Sequence, residues 1–409
     1  MSIESNDRTE PVDALATRLI HHPYRAPADW DAIPPGVFKA STVFFPNVQA
    51  LRERRWIDKS AYTYGLKGTP TTYTLEARLA ELEGAEHVML LPSGLAAITL
   101  VDLALLKAGD EVVLPDNVYG PNLALAQHEL RGWGIGHRMY DPLDIASLAQ
   151  VLTPATKLVW LEAAGSVTME FPDLRGLVRC VRERAPQALI AIDHTWGAGL
   201  AFKPFDLASG EEDGQAVDIA VHALTKFPSG GGDVLMGSVA CRDRALHDRL
   251  CWTHSRLGFG VGADDAAAIL RGLSTMELRY RTQDQAARRI AAWAQTRGEF
   301  ARVLHPALPG SPGHEHWAAH CELAAGLLTL EMQPRYTSAQ VDAFIDALRL
   351  FRIGWSWAGP VSLVAPYEAR RMRQLPTPYQ GTLVRLCIGL EGVGDLIRDL
   401  ERALAVLPA

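Results

Sequence analysis

The stretch VDIAVHALTKFPSGGGD (217–233) joins an apolar run to a polar turn that ends in consecutive glycines. Lys226 lies in that turn, shortly after the run. Strands that are covered on both faces have continuous apolar sequences, so the first half predicts a buried strand of a parallel sheet. Ligands bind beyond the carboxyl ends of such strands. The position of Lys226 therefore indicates a function for its amine.

Similar apolar runs recur upstream and directly downstream of this stretch. They are HVMLLP (87–92), EVVLP (111–115), KLVWLE (157–162), ALIAID (188–193) and VLMGSVAC (234–241). Helical patterns lie between them, such as LAAITLVDLALLKAG, which we expect to end at Gly109, and DLRGLVRCVRERAP, which stops at a proline. Repeated alternation predicts an α/β fold with a mostly parallel central sheet sandwiched by helices.

Three segments follow from the change of pattern along the chain. Residues 1–65 have weak periodicity and predict an irregular N-terminal arm that contacts a neighbouring subunit. Residues 66–270 carry the strand–helix alternation. A long helical tract begins at about 265, and residues 271–409 predict a smaller C-terminal α+β domain.

Composition limits the possible partners. The 409 residues are 48% hydrophobic and 21% charged, with a net charge of −7 and no basic block, which argues against nucleic-acid binding. The longest apolar stretch, LAAITLVDLALL (95–106), contains Asp102 and is too short to span a bilayer. The five scattered cysteines indicate buried, reduced thiols in a cytoplasmic protein; they are Cys180, Cys241, Cys251, Cys321 and Cys387.

The residues that follow the predicted strands form a chemical set. SGLAA, at the start of a helix, offers backbone N–H groups that can hold an anion. An aromatic, a carboxylate and a lysine follow three other strands. Pyridoxal phosphate (PLP) needs a phosphate cradle, a flat stacking partner, a carboxylate for its ring nitrogen and a lysine. The set that predicts PLP is Ser93, Gly94, Tyr119, Asp193, Thr225 and Lys226.

Other candidate motifs carry less information. GWGIG (132–136) has the glycines of a nucleotide loop but no apolar strand before it. HEHWAAHC (314–321) offers three histidines and a cysteine, yet no second cluster has zinc-type spacing, so we expect no metal site. His194 follows Asp193, and we expect it to pack in the interior.

Several motifs resemble the Cys/Met-metabolism PLP-dependent enzymes. They are YTYGLKGTPTTYTLE (62–76), ELEGAEHVMLLPSGLAAI, IDHTWGAG, ALTKF, LRGLSTMELR and HPALPGSPGHEHW. Within that family, four stretches are most similar to the bacterial cystathionine β-lyases: LEAAGSVTME (161–170), HPALPGSPGHE, SWAG (356–359) and TLVRLCIGLE (382–391). The resemblance implies PLP fold type I and a homotetramer built from dimers.

The resemblance also implies roles at matching positions around the cofactor. Lys226 matches the Schiff-base lysine, Asp193 the partner of the pyridine nitrogen, and Tyr119 the tyrosine stacked on the ring. Phosphate contacts match Gly94, the Leu95 amide and Thr225.

The same comparison assigns the remaining positions. Arg385 matches the arginine that binds the substrate α-carboxylate, with Ser356 and Trp357 as its neighbours. Ser166 matches a residue near the cofactor 3′-oxygen, and Tyr64 a tyrosine that reaches the phosphate of the neighbouring subunit.

The implied reaction is β-elimination of cystathionine or a related cysteine S-conjugate, which gives a thiol, pyruvate and ammonia. Lys226 would remove the Cα proton, and Lys226 or Tyr119 would assist departure of the sulfur. Two alternatives remain open at this point: γ-elimination or γ-replacement in the same family, and a PLP-binding protein with little turnover.

The chain departs from the family pattern in three places. Leu66, followed by Lys67, stands where an arginine is usual, so either Lys67 substitutes or cofactor affinity falls. Glu162-Ala163-Ala164 lacks the usual proline, and the segment 229–233 replaces the usual SGHSD. These changes concern the rims of the cofactor and substrate sites.

Overall fold

The computed structural model describes residues 15–20, 32–207 and 216–408. The predicted arm over 1–65 therefore lies partly outside the described residues. In its described part, a short helix is followed by a bridge between the backbones of Thr42 and Tyr64. The boundary near residue 270 stays a prediction.

Helices and strands alternate along most of the described chain. The helices are α1 (Leu15–Ile20), α2 (Val48–Arg52), α3 (Pro70–Glu83), α4 (Gly94–Leu105), α5 (Gly120–Leu125, continued by a π-helical turn over Ala126–Leu130), α6 (Ile145–Val151), α7 (Leu174–Arg184), α8 (Arg244–Leu257), α9 (Ala263–Leu273), α10 (Met276–Ala294), α11 (His314–His320), α12 (Ser338–Asp346), α13 (Ala369–Met372) and α14 (Val393–Leu404); a 3₁₀ turn spans Gly65–Lys67. The strands are β1 (His87–Leu91), β2 (Glu111–Pro115), β3 (Gly136–Tyr140), β4 (Thr156–Glu162), β5 (Leu189–Asp193), β6 (Ile219–His222), β7 (Gly237–Cys241), β8 (Phe300–Leu304), β9 (Leu327–Met332), β10 (Arg352–Ile353), β11 (Leu363–Tyr367) and β12 (Leu383–Cys387).

Within the described residues, strands β1 to β7 form one sheet in the order β1-β7-β6-β5-β4-β2-β3. β7 pairs antiparallel with both β1 and β6, and the other pairs are parallel. The prediction of a mostly parallel central sheet is confirmed. The carboxyl ends of β2, β4, β5 and β6 consequently meet at one edge of the sheet.

Some element bounds differ from the sequence prediction. β3 was missed because GHRMY, with a glycine and two charged or polar residues, lacks a continuous apolar run. The GWGIG stretch is the turn into that strand. The last predicted run, VLMGSVAC, forms a strand only from Gly237, and the helix expected to reach Gly109 ends at Leu105.

Both faces of the central sheet are covered, as the continuous apolar runs predicted. Along β4, Leu158 and Trp160 pack into a core with α4 and α8, whereas Val159 and Leu161 pack into a second core with α3 and α7. All four side chains are buried. The Trp160 indole donates to the buried Asp102 carboxylate of α4 at 3.0 Å, which explains a charged residue within that apolar helix.

The second sheet lies in the C-terminal region, in the order β10-β11-β12-β9-β8. A third core packs this sheet against α10, α12 and α14. The single long helical tract expected from 265 is two helices, α9 and α10, because Ser274 and Thr275 separate them. The preceding α8 was not predicted.

The predicted state of the cysteines is confirmed, since all five are free and buried. Among the described residues, no helix is long and apolar enough to cross a membrane.

Candidate active site

A cavity of about 480 Å³ opens at the carboxyl ends of β2, β4, β5 and β6. The C-terminal sheet contributes its remaining wall. All but two of the predicted site residues line it: Ser93, Gly94, Leu95, Tyr119, Ser166, Asp193, Thr225, Lys226, Trp357 and Arg385. The fold therefore brings together residues that are up to 292 positions apart in the sequence (385 − 93).

Lys226 lies in the turn after β6, and its amine points into the cavity. Its Nζ donates to Ser356 Oγ at 2.9 Å and lies 5.7 Å from the centre of the Trp357 ring. Burial, together with the positive charge of Arg385, lowers the pKa of Lys226 to about 8. An amine with such a pKa is available near neutral pH as a nucleophile or base.

Asp193 is the last residue of β5 and pairs in register with Glu162 of β4. The Thr195 amide donates to Asp193 Oδ1 at 3.0 Å. Burial raises the pKa of Asp193, and burial with the Asp193 charge raises the pKa of Glu162 to about 8. A cation bound beside such a pair of carboxyl groups would stabilise their ionised form.

Helix α4 begins at the cavity wall. Ser93 caps it, because its Oγ accepts from the Ala96 amide at 3.0 Å. A Cβ on Gly94 would lie 2.6 Å from the Ala223 Cβ, so only glycine fits this close approach of α4 to β6. The first amides of the helix are thereby presented to the cavity as an anion seat.

Thr225 lines the same region, but its hydroxyl is already engaged. Its Oγ1 donates to Met236 O at 3.3 Å and accepts from Met236 N at 3.1 Å. A contact from this hydroxyl to a phosphate requires rotation away from Met236 O.

Tyr119 precedes α5 and is 40% exposed, with its ring against the cavity. Burial, followed by the charges of Asp193 and Glu162, raises the pKa of its hydroxyl. The Glu162 carboxylate accepts hydrogen bonds from the backbone amides of Tyr119, at 2.6 Å, and Ser166, at 3.2 Å. This carboxyl therefore fixes two loops of the cavity wall.

Arg385 reaches the cavity from β12 of the second sheet. Its Nη1 donates to Ser166 O at 3.1 Å, and its guanidinium lies 5.1 Å from the Tyr367 ring centre. The residue is 5% exposed, and its Nε has no hydrogen-bond partner among the described residues. A buried guanidinium with an unused donor fits a carboxylate ligand.

Two predicted site residues do not line the cavity. Ser356 accepts a hydrogen bond from the Lys226 amine at 2.9 Å. Tyr64 is 47% exposed, beside Ser41, and its predicted contact lies in a neighbouring subunit.

Lys67, next to Leu66, has its Nζ 3.9 Å from the centre of the Trp56 ring of its own chain.

His194 packs in the interior, and the structure also gives it a hydrogen-bond partner. Its Nδ1 and that of His222 bind the two oxygens of Glu83, at 2.6 and 2.7 Å. In the HEHWAAHC stretch, His314 Nδ1 bonds to Pro306 O at 2.8 Å. Within the part of the chain that the structure describes, no group of three His, Cys, Asp or Glu residues could hold a metal ion.

Sequence reasoning missed several residues of the cavity. Glu162 ends a predicted strand at the same edge as Asp193, so the rule that found Asp193 would have found it. Leu235, Trp355 and Met372 have no such signal. Leu235 lies in the predicted run 234–241, just before β7, whereas Trp355 and Met372 reach the cavity from C-terminal segments whose positions depend on how the second sheet packs against the central one.

Comparison with known proteins defines the class. Residues 16–405 match the family model of the Cys/Met metabolism PLP-dependent enzymes, and the chain belongs to that family. It is 38% identical to the putative cystathionine beta-lyase of Rhizobium johnstonii, over 97% of each chain. It is also 36% identical to the cystathionine beta-lyase of Bordetella avium, over 98% of this chain and 99% of that one.

A solved structure supports the fold. The crystal structure of metB from Corynebacterium glutamicum superposes with a TM-score of 0.86 and covers 96% of this chain and 98% of that one. Its 24% identity limits the comparison to the fold.

The residues of the cavity fit PLP, the cofactor of this family. Lys226 offers an amine of lowered pKa, and Asp193 a half-buried carboxyl of raised pKa for the ring nitrogen. The start of α4, where Gly94 leaves no room for a side chain, offers amides for the phosphate. These three features lie around one cavity.

Proposed function

We propose that this enzyme cleaves the Cβ–S bond of cystathionine or a related cysteine S-conjugate by β-elimination. The balanced reaction consumes the thioether and one water and yields a thiol, pyruvate and ammonia. With cystathionine, the thiol is homocysteine. The names of the full-length relatives support this carbon–sulfur lyase activity.

The observation that carries the proposal is the convergence of Lys226, Asp193 and Arg385 on one cavity. Arg385 binds the substrate α-carboxylate through its unused donor and so orients the Cα–H bond towards the Lys226 amine. Bound PLP supplies an electron sink for the charge that develops at Cα. Asp193 holds the ring nitrogen in its protonated form.

Lys226 then acts as the base. Its amine, with a pKa of about 8, accepts the Cα proton. Lys226 or Tyr119 returns a proton to the sulfur as the thiol leaves. Ser356, which accepts from the Lys226 amine at 2.9 Å, positions that amine between the two tasks.

Further residues complete the assignment. Ser93, Gly94, Leu95 and Thr225 would hold the cofactor phosphate, and Tyr119 would pack against the ring. Ser166 would lie beside the 3′-oxygen, and Trp357 would flank the substrate carboxylate. Tyr64 reaches the neighbouring subunit's cofactor phosphate, which requires at least a dimer; we propose a homotetramer in the cytoplasm. Its exposed position in the single subunit is compatible with this role.

The test is identification of the keto acid formed from L-cystathionine. Pyruvate is the product expected for β-elimination, whereas 2-oxobutyrate would assign the enzyme to γ-elimination. The Lys226→Ala variant should lose both turnover and the visible absorbance of the lysine-bound cofactor. Retention of turnover in this variant, or bound PLP without any keto acid in wild type, would overturn the proposal.

A further inference from the structure

The outer part of the cavity has an apolar wall. Leu235 is 70% exposed and Trp355 84% exposed, and both line the cavity. Tyr367 and Met372 line it from β11 and α13. These four side chains come from separate segments of the chain, and all of them are uncharged and line the same cavity.

Few charged side chains line the cavity, and each of them has a structural contact or a role in the proposed function. Among the described residues that line it, the charged side chains are Glu162, Asp193, Lys226 and Arg385. The proposed function uses Lys226 and Asp193 for the cofactor and Arg385 for the α-carboxylate. Glu162 holds the amides of two wall residues. The described lining that this subunit contributes therefore offers no further cation for a second carboxylate of a substrate.

One part of the apolar wall, at Met372, is held in place by buried ionic contacts of the next residue. Arg373, next to Met372, donates through Nη2 to Glu170 Oε2 at 2.5 Å and to Thr168 Oγ1 at 2.9 Å. The following amide, of Gln374, donates to Asp116 Oδ1 at 2.8 Å. Because these contacts fix residues 373 and 374 to the central domain, Met372 has a defined position in the wall.

We propose that this site takes L-cysteine thioethers whose sulfur carries an uncharged, apolar alkyl or aryl group, in preference to cystathionine. The inference rests on the proposed function and names its substrate class. Cystathionine places a second ammonium and carboxylate beyond the sulfur, beside Leu235, Trp355 and Met372, which offer no ionic partner to either charge. A propyl or benzyl group would instead be buried there favourably.

The test compares kcat/KM for S-benzyl-L-cysteine and L-cystathionine, with pyruvate as the common product. We expect the apolar substrate to be favoured by at least about tenfold. In Trp355→Arg, the added cation should shift this ratio towards cystathionine by about tenfold. The control is Trp133→Arg, since Trp133 is also exposed, at 52%, but does not line the cavity; its ratio should equal that of wild type.

The outcomes separate this inference from the function on which it rests. Pyruvate from neither substrate overturns the β-lyase assignment and the substrate class with it. Pyruvate from both, with cystathionine favoured, leaves the β-lyase assignment intact and overturns the substrate class. An unchanged ratio in Trp355→Arg, with its tetramer and cofactor content intact, also overturns the substrate class.

Discussion

The carboxyl ends of β5 and β6 carry ionisable residues on both faces of the central sheet, and the two faces provide different environments. On one face, Asp193 borders the cavity, near the Lys226 amine. On the other, Glu83 of α3 joins His194 and His222, and all three side chains are at most 1% exposed. Successive residues of a strand point to opposite faces, so neighbours in sequence are divided between the two clusters.

The difference lies in how the charges are satisfied. Burial opposes ionisation of Glu83, but the two imidazoles outweigh it and hold the pKa of this carboxyl well below its usual range. Both of its oxygens are bonded, and the cluster lies outside the cavity lining. Asp193 instead has a raised pKa and borders open volume. The comparison indicates that one cluster stabilises the fold and that the other is available for a ligand.

The largest effect is expected for Asp193→Asn. Loss of a preorganised charge at the reacting cofactor should lower kcat by at least about 100-fold. The matched control is Asp218→Asn at the opposite end of the same strands, where Asp218 accepts from Arg182 at 2.9 Å and Ile190 N at 2.7 Å. We expect the control to lose stability but to keep its turnover per folded molecule. Equal loss of turnover in both variants would show that the loss does not depend on the contact of Asp193 with the cofactor.

A smaller effect, on stability, is expected for Glu83→Gln. One buried imidazole loses its acceptor, which should cost about 2–5 kcal/mol of unfolding free energy, measured by urea denaturation. Because the folded-state pKa of Glu83 is lowered, its stabilisation is present above pH 4.5, its ordinary value, and is lost as the pH falls. The variant should therefore lose less stability than wild type on acidification.

The control for this variant is Glu76→Gln on the same helix, where Glu76 pairs with Lys59 at 2.7 Å. Both variants should retain near-wild-type kcat per folded molecule. A Glu83→Gln protein of unchanged stability but with little activity would show that the buried cluster serves catalysis.

The smallest expected effect is a shift in the pH dependence of cofactor attachment. The neutral Lys226 amine is the reactive form, so the rate at which apoenzyme is trapped with PLP and borohydride should rise as the pH passes through about 8. Arg385 is one cause of the lowered pKa of Lys226. Arg385→Leu should therefore move the midpoint upward, by up to roughly one unit. A midpoint that does not move would show that burial alone lowers this pKa.

The sequence pattern was sufficient to predict the class of fold and the site residues at the carboxyl ends of β5 and β6. Continuous apolar runs specify strands covered on both faces, and Asp193 and Lys226 follow such runs directly, so their common edge could be predicted. β3 could not be predicted in this way, because it lies at the sheet edge and most of its side chains are only partly buried. The split between α9 and α10 escaped because Ser274 and Thr275 interrupt the helix without a glycine or proline.

The C-terminal part of the apolar wall could be placed only from the packing of the two sheets. Trp355 and Met372 belong to segments without a periodic signal, and their place depends on the packing of the C-terminal sheet and on the Arg373–Glu170 contact. The pairing of Glu83 with two histidines 111 and 139 positions away was equally hidden. Local sequence patterns report which face of an element is apolar. They do not report which distant side chains that element will meet, because those contacts form only when whole layers pack together.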